Sequence, residues 1–144
     1  MNPLVNTKPI NADKLFLASC VALITTAMSF GIRAKLMPVF GQVFSLTKEQ
    51  VGMVSGTAFW GFTLAMIFGG PLIAVVGMRR IVWLALAGHV AGIVLTIFAG
   101  GYWSLFVATL LIGIGNGMVE AACNPLITSM FPNQKIKMLN RFHM

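Results

Sequence analysis

Residues 81–119 read IVWLALAGHVAGIVLTIFAGGYWSLFVATLLIGIGNGMV and carry no acidic or basic side chain except His89. A helix rises about 1.5 Å per residue and the hydrocarbon core of a bilayer is about 30 Å thick, so about 20 apolar residues cross it once. The run is too long for one crossing and must fold back. Gly100 and Gly101 supply a permissive turn, and Tyr102 and Trp103 are residue types favoured at a membrane interface. The stretch therefore reads as two membrane helices, about 81–99 and 103–131, the second stopping before Pro132.

Two further runs precede it. One covers about 15–39, interrupted only by Arg33 and Lys35, and the other about 50–76, where Gly69, Gly70 and Pro71 predict a bend or an early end. The expected fold is all-α: an integral membrane protein with about four transmembrane helices. With 144 residues, 58% of them hydrophobic and 9% charged, the composition excludes an ordinary soluble domain. The net charge of +7 is not a nucleic-acid signal, because the basic residues sit in short groups between apolar runs.

Those groups set an orientation instead, since cytoplasmic loops are enriched in Lys and Arg. Lys8, Lys14, Arg79, Arg80, Lys135, Lys137 and Arg141 fall on one side, and Arg33, Lys35 and Lys48 toward the other. Both termini are expected in the cytoplasm, in a cell (plasma or inner) membrane. Residues 1–14 form a polar cytoplasmic segment, and the first apolar run lacks a signal-peptide cleavage pattern, so it reads as a retained helix. Residues 133–144 are expected to be a cytoplasmic segment leading into a fifth helix that the chain does not complete.

Few residues have the chemistry for a site. Glu120 is a carboxylate inside an apolar helix, which is costly unless it faces a partner or a water-filled cavity. Asn116 and Asn124 lie four residues to either side, on the same helix face. The three can line a polar cavity or form a structural hydrogen-bonded cluster. A membrane carboxylate can take up and release a proton, whereas a nearby Arg33 would hold it charged. Helix rise puts Arg33 and Glu120 about 10 Å apart in depth, so Arg33 either reaches across or snorkels to the outer interface.

Other features read as packing first. Gly113, Gly117 and Ala121 form a small-residue stripe, and His89 alone is more often a hydrogen-bonded packing residue than a ligand. Phe59 and Trp60 can stack on a sugar ring or pack against lipid. Cys20 and Cys123 lie in separate runs with no CxxC spacing and read as buried thiols. No metalloprotease, phosphate-loop or nucleophile-elbow motif occurs, so neither catalysis nor a cofactor or metal is expected.

Two segments resemble the N-terminal part of the major facilitator superfamily, in particular its fucose permease-like sugar branch. Gly70-Pro71-Leu72-Ile73-Ala74-Val75-Val76-Gly77-Met78-Arg79-Arg80 is similar to the G-x-L-x-D-x-x-G-R-R loop between helices two and three, with Ala74 in place of Asp and Met78 in place of the first basic residue. Gly113-Ile-Gly-Asn-Gly-Met-Val-Glu120-Ala-Ala-Cys-Asn124-Pro125 resembles the fourth-helix stretch of fucose permease-type symporters. The resemblance implies that Glu120 lines the central cavity and takes part in sugar binding or proton coupling, while Asn124 and Pro125 shape the helix. In the same pattern the first helix carries an Asp four residues before a Pro. Here Ala34 holds that place before Pro38, with Arg33 beside it.

Such transporters have twelve helices in two halves, with the substrate site between them. The expected function is thus secondary transport of a sugar or similar small polar solute, with proton coupling as an implication of the resemblance. The expected site residues are Glu120, Asn116, Asn124 and Arg33, and the expected partners are the bilayer, the solute and the missing C-terminal helices. A complete four-helix protein, acting as a small dimeric exporter or an assembly subunit, also fits the length.

Overall fold

The computed structural model describes residues 11–144, so Lys8 and most of the expected N-terminal segment lie outside the described residues. Helix α1 spans Ala12–Val43, α2 Lys48–Val76, α3 Met78–Ile97, α4 Tyr102–Met130 and α5 Lys135–His143. The first four are long and apolar enough to cross a bilayer. Among the described residues there is no strand, and the fold is all-α.

Local chemistry sets the helix starts. The Asn11 side chain accepts from the Lys14 amide at 3.1 Å, with Asp13 in the first turn of α1. Thr47 and Gln50 make a reciprocal capping box at the start of α2. Ser104 Oγ accepts from the Gly100 and Gly101 amides and fixes the start of α4. The early end expected as one alternative at Gly69, Gly70 and Pro71 does not occur: α2 continues through Pro71 to Val76. The chain reverses at Gly77 instead, where φ is +88°, a conformation that glycine adopts without a Cβ clash. Gly69 serves packing, because a Cβ there would collide with that of Ala121.

Helix α4 is the centre of the bundle, flanked by α2 and α3. Glycines let the backbones approach. A Cβ on Gly113 would collide with the Ala58 carbonyl, one on Gly61 with the backbone of Leu110 and Ile114, and one on Gly117 with Phe62 and Ala65. Gly88 and Gly92 do the same for α3, facing Leu111, Gly115, Ala108 and Ile112. The small-residue stripe of α4 is a packing surface, as small residues in membrane helices commonly are.

Helix α1 is attached differently. Its Gly31 has nothing within contact range, and Gly41 meets only the Val51 side chain. It leans on the bundle through side chains at two apolar clusters. At one end Phe16, Cys20 and Leu23 join Val119, Cys123, Ile127, Met138 and Phe142, and Phe16 meets Phe131 edge to face. At the other end Met37, Phe40 and Phe44 join Val54, Leu105 and Phe106. The last helix, α5, replaces the expected polar linker with an amphipathic turn that buries Met138 and Phe142 against the first cluster.

Candidate functional site

Between the two apolar clusters lies a polar layer built in two tiers, each drawing one residue from α1, α3 and α4. The first tier is Ser29, His89 and Asn116, and the second is Arg33, Thr96 and Thr109. On α3 the two residues are seven apart, 89 to 96, and on antiparallel α4 they are seven apart in reverse, 116 to 109. Seven residues are two helical turns, about 10 Å, so the matching intervals keep both pairs on the facing sides of their helices.

In the second tier Arg33 is 8% exposed. Its guanidinium donates to Thr109 Oγ1 and, at 2.9 Å, to Thr96 Oγ1. Each hydroxyl passes its own hydrogen to the backbone, Thr109 to the Leu105 carbonyl and Thr96 to the Gly92 carbonyl, both at 2.7 Å. The cation is thus solvated by hydroxyl relays that end on helix carbonyls. None of the carboxylates of the described residues accepts from it. A buried charge is stable only when its hydrogen-bonding capacity is met, and five N–H groups cannot be met by two hydroxyls.

Arg33 also lines two cavities. One, of about 300 Å³, is walled by Ser29, Ile32, Phe40, Ile93, Thr96 and Ile112. The other, of about 260 Å³, is walled by Phe30, Met37, Ser55, Ala58 and Phe59. Apolar walls around one fixed cation are the arrangement in which a small anion gains most from a charge-assisted hydrogen bond. A larger hollow, about 570 Å³, lies elsewhere, along the surface segment Pro132–Lys137, and contains none of the polar layer.

The four residues expected at the site occupy three places. Asn116 is buried in the first tier, bonded to His89 and Ser29. Glu120, one turn on, is half-buried and has no hydrogen-bonding partner among the described residues; it is also absent from the sealed unpartnered atoms, so its carboxylate is open. Asn124 lies beyond it, where its Oδ1 sits 3.1 Å from His143 Nε2 of α5. Arg33 is in the second tier and bonds to hydroxyls rather than to Glu120. It does not snorkel. Phe59 lies in the cavity beside Arg33 and against Phe30, while Trp60 packs on Phe106 with half its surface exposed.

Sequence reasoning left out Ser29, Thr96 and Thr109, and treated His89 alone. The signal that would have found them is the repeated interval of seven between polar residues on two adjacent antiparallel helices, His89 with Thr96 and Thr109 with Asn116.

Comparison with known proteins supplies the family. Residues 15–144 match the profile described as Major Facilitator Superfamily. The chain is 28% identical to a D-galactonate transporter of Escherichia coli O6:H1 over 88% of its own length and 31% of that protein. It is 26% identical to a probable anion transporter 6, chloroplastic, of Arabidopsis thaliana over 83% of its length and 23% of that protein. With the L-fucose-proton symporter of Escherichia coli K12 it shares 27% identity over 81% of its length and 27% of that protein. The chain therefore spans less than a third of the length of these relatives. No solved structure matches. An all-helical integral membrane bundle with a polar layer between two apolar clusters, matched along nearly all its length by one family profile, leads to a single statement: the chain belongs to the major facilitator superfamily.

Proposed function

We propose that the chain provides the solute-binding helices of a secondary transporter for a small organic anion of the sugar-acid type. Arg33 holds the solute's carboxylate and Glu120 exchanges a proton. The observation that carries the reading is the buried Arg33 guanidinium, bonded to neutral hydroxyls alone and opening onto two cavities. A site meant for a neutral sugar has no need of an uncompensated cation, whose burial costs several kcal/mol. An anionic solute supplies the missing counter-charge.

Two of the relatives carry names that agree, one naming galactonate and one an anion. Sugar acids also keep the hydroxyls and ring or chain carbons that Ser29, Ser55 and Phe59 are suited to meet. Transport proceeds by rocking of two halves about a central site, the second half being the C-terminal helices of a longer protein. The protein sits in the cell membrane with the sides bearing Lys14, Arg79, Arg80, Lys135, Lys137 and Arg141 in the cytoplasm.

The test is a chimera in which this chain replaces the matching N-terminal region of the D-galactonate transporter. Uptake of D-galactonate into vesicles is expected, reduced at least ~10-fold by Arg33→Gln, equivalent to about 1.4 kcal/mol, with partial recovery by Arg33→Lys. Glu120→Gln is expected to remove the dependence on a proton gradient. Uptake indifferent to Arg33→Gln would sink the anion reading. Uptake by the 144-residue chain alone would favour a small self-assembling exporter.

A further inference from the structure

The two cavities that share Arg33 offer a solute different chemistry. The one between α1 and α3 adds two hydroxyls to the cation, and each already meets another side chain: Ser29 turns to Asn116, and Thr96 accepts from Arg33. The rest of its wall is isoleucine, leucine and phenylalanine carbon. Beyond Arg33 it has no polar group whose partner is still to come.

The cavity between α1 and α2, about 260 Å³, has one. Ser55 Oγ lines it and donates its hydrogen to the Val51 carbonyl, one turn back on α2, at 2.8 Å. A hydroxyl has one hydrogen and two lone pairs, so this bond uses the donor and leaves the acceptors. No group among the described residues donates to Ser55. Held this way, Ser55 accepts from a solute and does not donate to one. Its complement is a hydroxyl, not a carboxylate. Arg33 has the opposite character, because a guanidinium carries donors alone.

An aromatic wall completes the cavity. Phe59 lies four residues after Ser55, on the same face of α2, and its ring meets that of Phe30 on α1 with centroids 5.7 Å apart and planes tilted by 31°. Ala34 and Ala58 keep the remaining wall low. One small space thus holds a cation that wants a carboxylate, an oxygen that wants a hydroxyl hydrogen, and ring faces on which C–H groups pack. Pockets for drug-sized ligands run to about 300–1,000 Å³, so this one suits a small solute.

We propose that the solute sits in the α1–α2 cavity and that Ser55 is a specificity-determining residue: it accepts from a hydroxyl of a solute whose carboxylate Arg33 holds and whose carbon chain packs on Phe59. The inference rests on the anion reading and deepens it, because it adds selection for hydroxylated acids over plain aliphatic acids of equal length. A plain acid satisfies Arg33 and leaves the Ser55 lone pairs without a donor. A site built to hydrogen-bond a hydroxyl discriminates against the analogue that lacks it for this reason.

The experiment places the whole chain in lipid nanodiscs and measures binding of two six-carbon probes, D-galactonate and hexanoate, by saturation-transfer NMR, with empty nanodiscs subtracted. D-galactonate is expected to bind more tightly than hexanoate. Ser55→Ala is expected to weaken D-galactonate roughly 5-fold, the size of one net hydrogen bond, and to leave hexanoate unchanged, which also shows that the variant is folded. Arg33→Gln is expected to weaken both acids. If Ser55→Ala changes neither probe, or both alike, the inference is overturned, and the anion reading stands as long as Arg33→Gln still weakens both. Binding of both acids that ignores Arg33→Gln, or binding of neither, overturns the two together.

Discussion

Thr109 and Thr96 are the residues on which the buried cation depends. Both accept from Arg33 and both hand their own hydrogen to a helix carbonyl, so neither is interchangeable with valine despite the equal shape. Thr109→Val removes one acceptor from a charged donor, and hydrogen bonds to charged groups contribute about 1.5–3 kcal/mol. The variant is expected to lose roughly that much stability in a denaturant titration followed by circular dichroism. In Arg33→Leu the same Thr109→Val change should cost less than about 1 kcal/mol, because no charge remains to solvate. Apart from the interval of seven to His89 and to Asn116, nothing in the sequence marks these two threonines. A hydroxyl bonded to a carbonyl one turn back is ordinary in a helix, and only the approach of α1 gives it a second task.

The elements divide by how they are held. Helices α2, α3 and α4 interlock through glycines, whereas α1 is tied by side chains and by the two polar tiers. Alanine scanning of glycines separates these modes. Gly113→Ala drives a methyl into the Ala58 carbonyl and is expected to destabilise by about 1–3 kcal/mol. Gly56→Ala meets nothing within 4 Å and should be neutral or stabilise by up to about 1 kcal/mol through helix propensity. Gly77→Ala has open space but a φ of +88°, and should cost about 1–2 kcal/mol through backbone strain alone. Thermal unfolding in one detergent would rank all three.

For the molecule as a whole, the charge-free run 81–119 was enough to read two helices and a turn, because hydrocarbon thickness limits how far an apolar helix runs. Asn116 and Glu120 were visible for the same reason, as polar groups where polarity is costly. Of the two alternatives at Gly69-Gly70-Pro71, a bend or an early end, the early end is absent because helix packing tolerates an internal proline in a membrane, and α2 contains Pro71 as α1 contains Pro38 and α4 Pro125. Rise per residue set Arg33 apart from Glu120, and Arg33 bonds Thr109, eleven residues from Glu120 on α4. What Arg33 touches was not legible, since it depends on which faces of three helices meet.

The two apolar clusters, one around Ile127 and Phe142 and one around Leu105 and Met37, enclose the polar layer from opposite ends. Hydrocarbon side chains stacked at both ends offer an ion nothing to replace its water shell, so entry to the Arg33 cavities is not passage across. Vesicles loaded with the 144-residue chain are therefore expected to hold an imposed membrane potential as long as empty ones, as a voltage-sensitive dye would report.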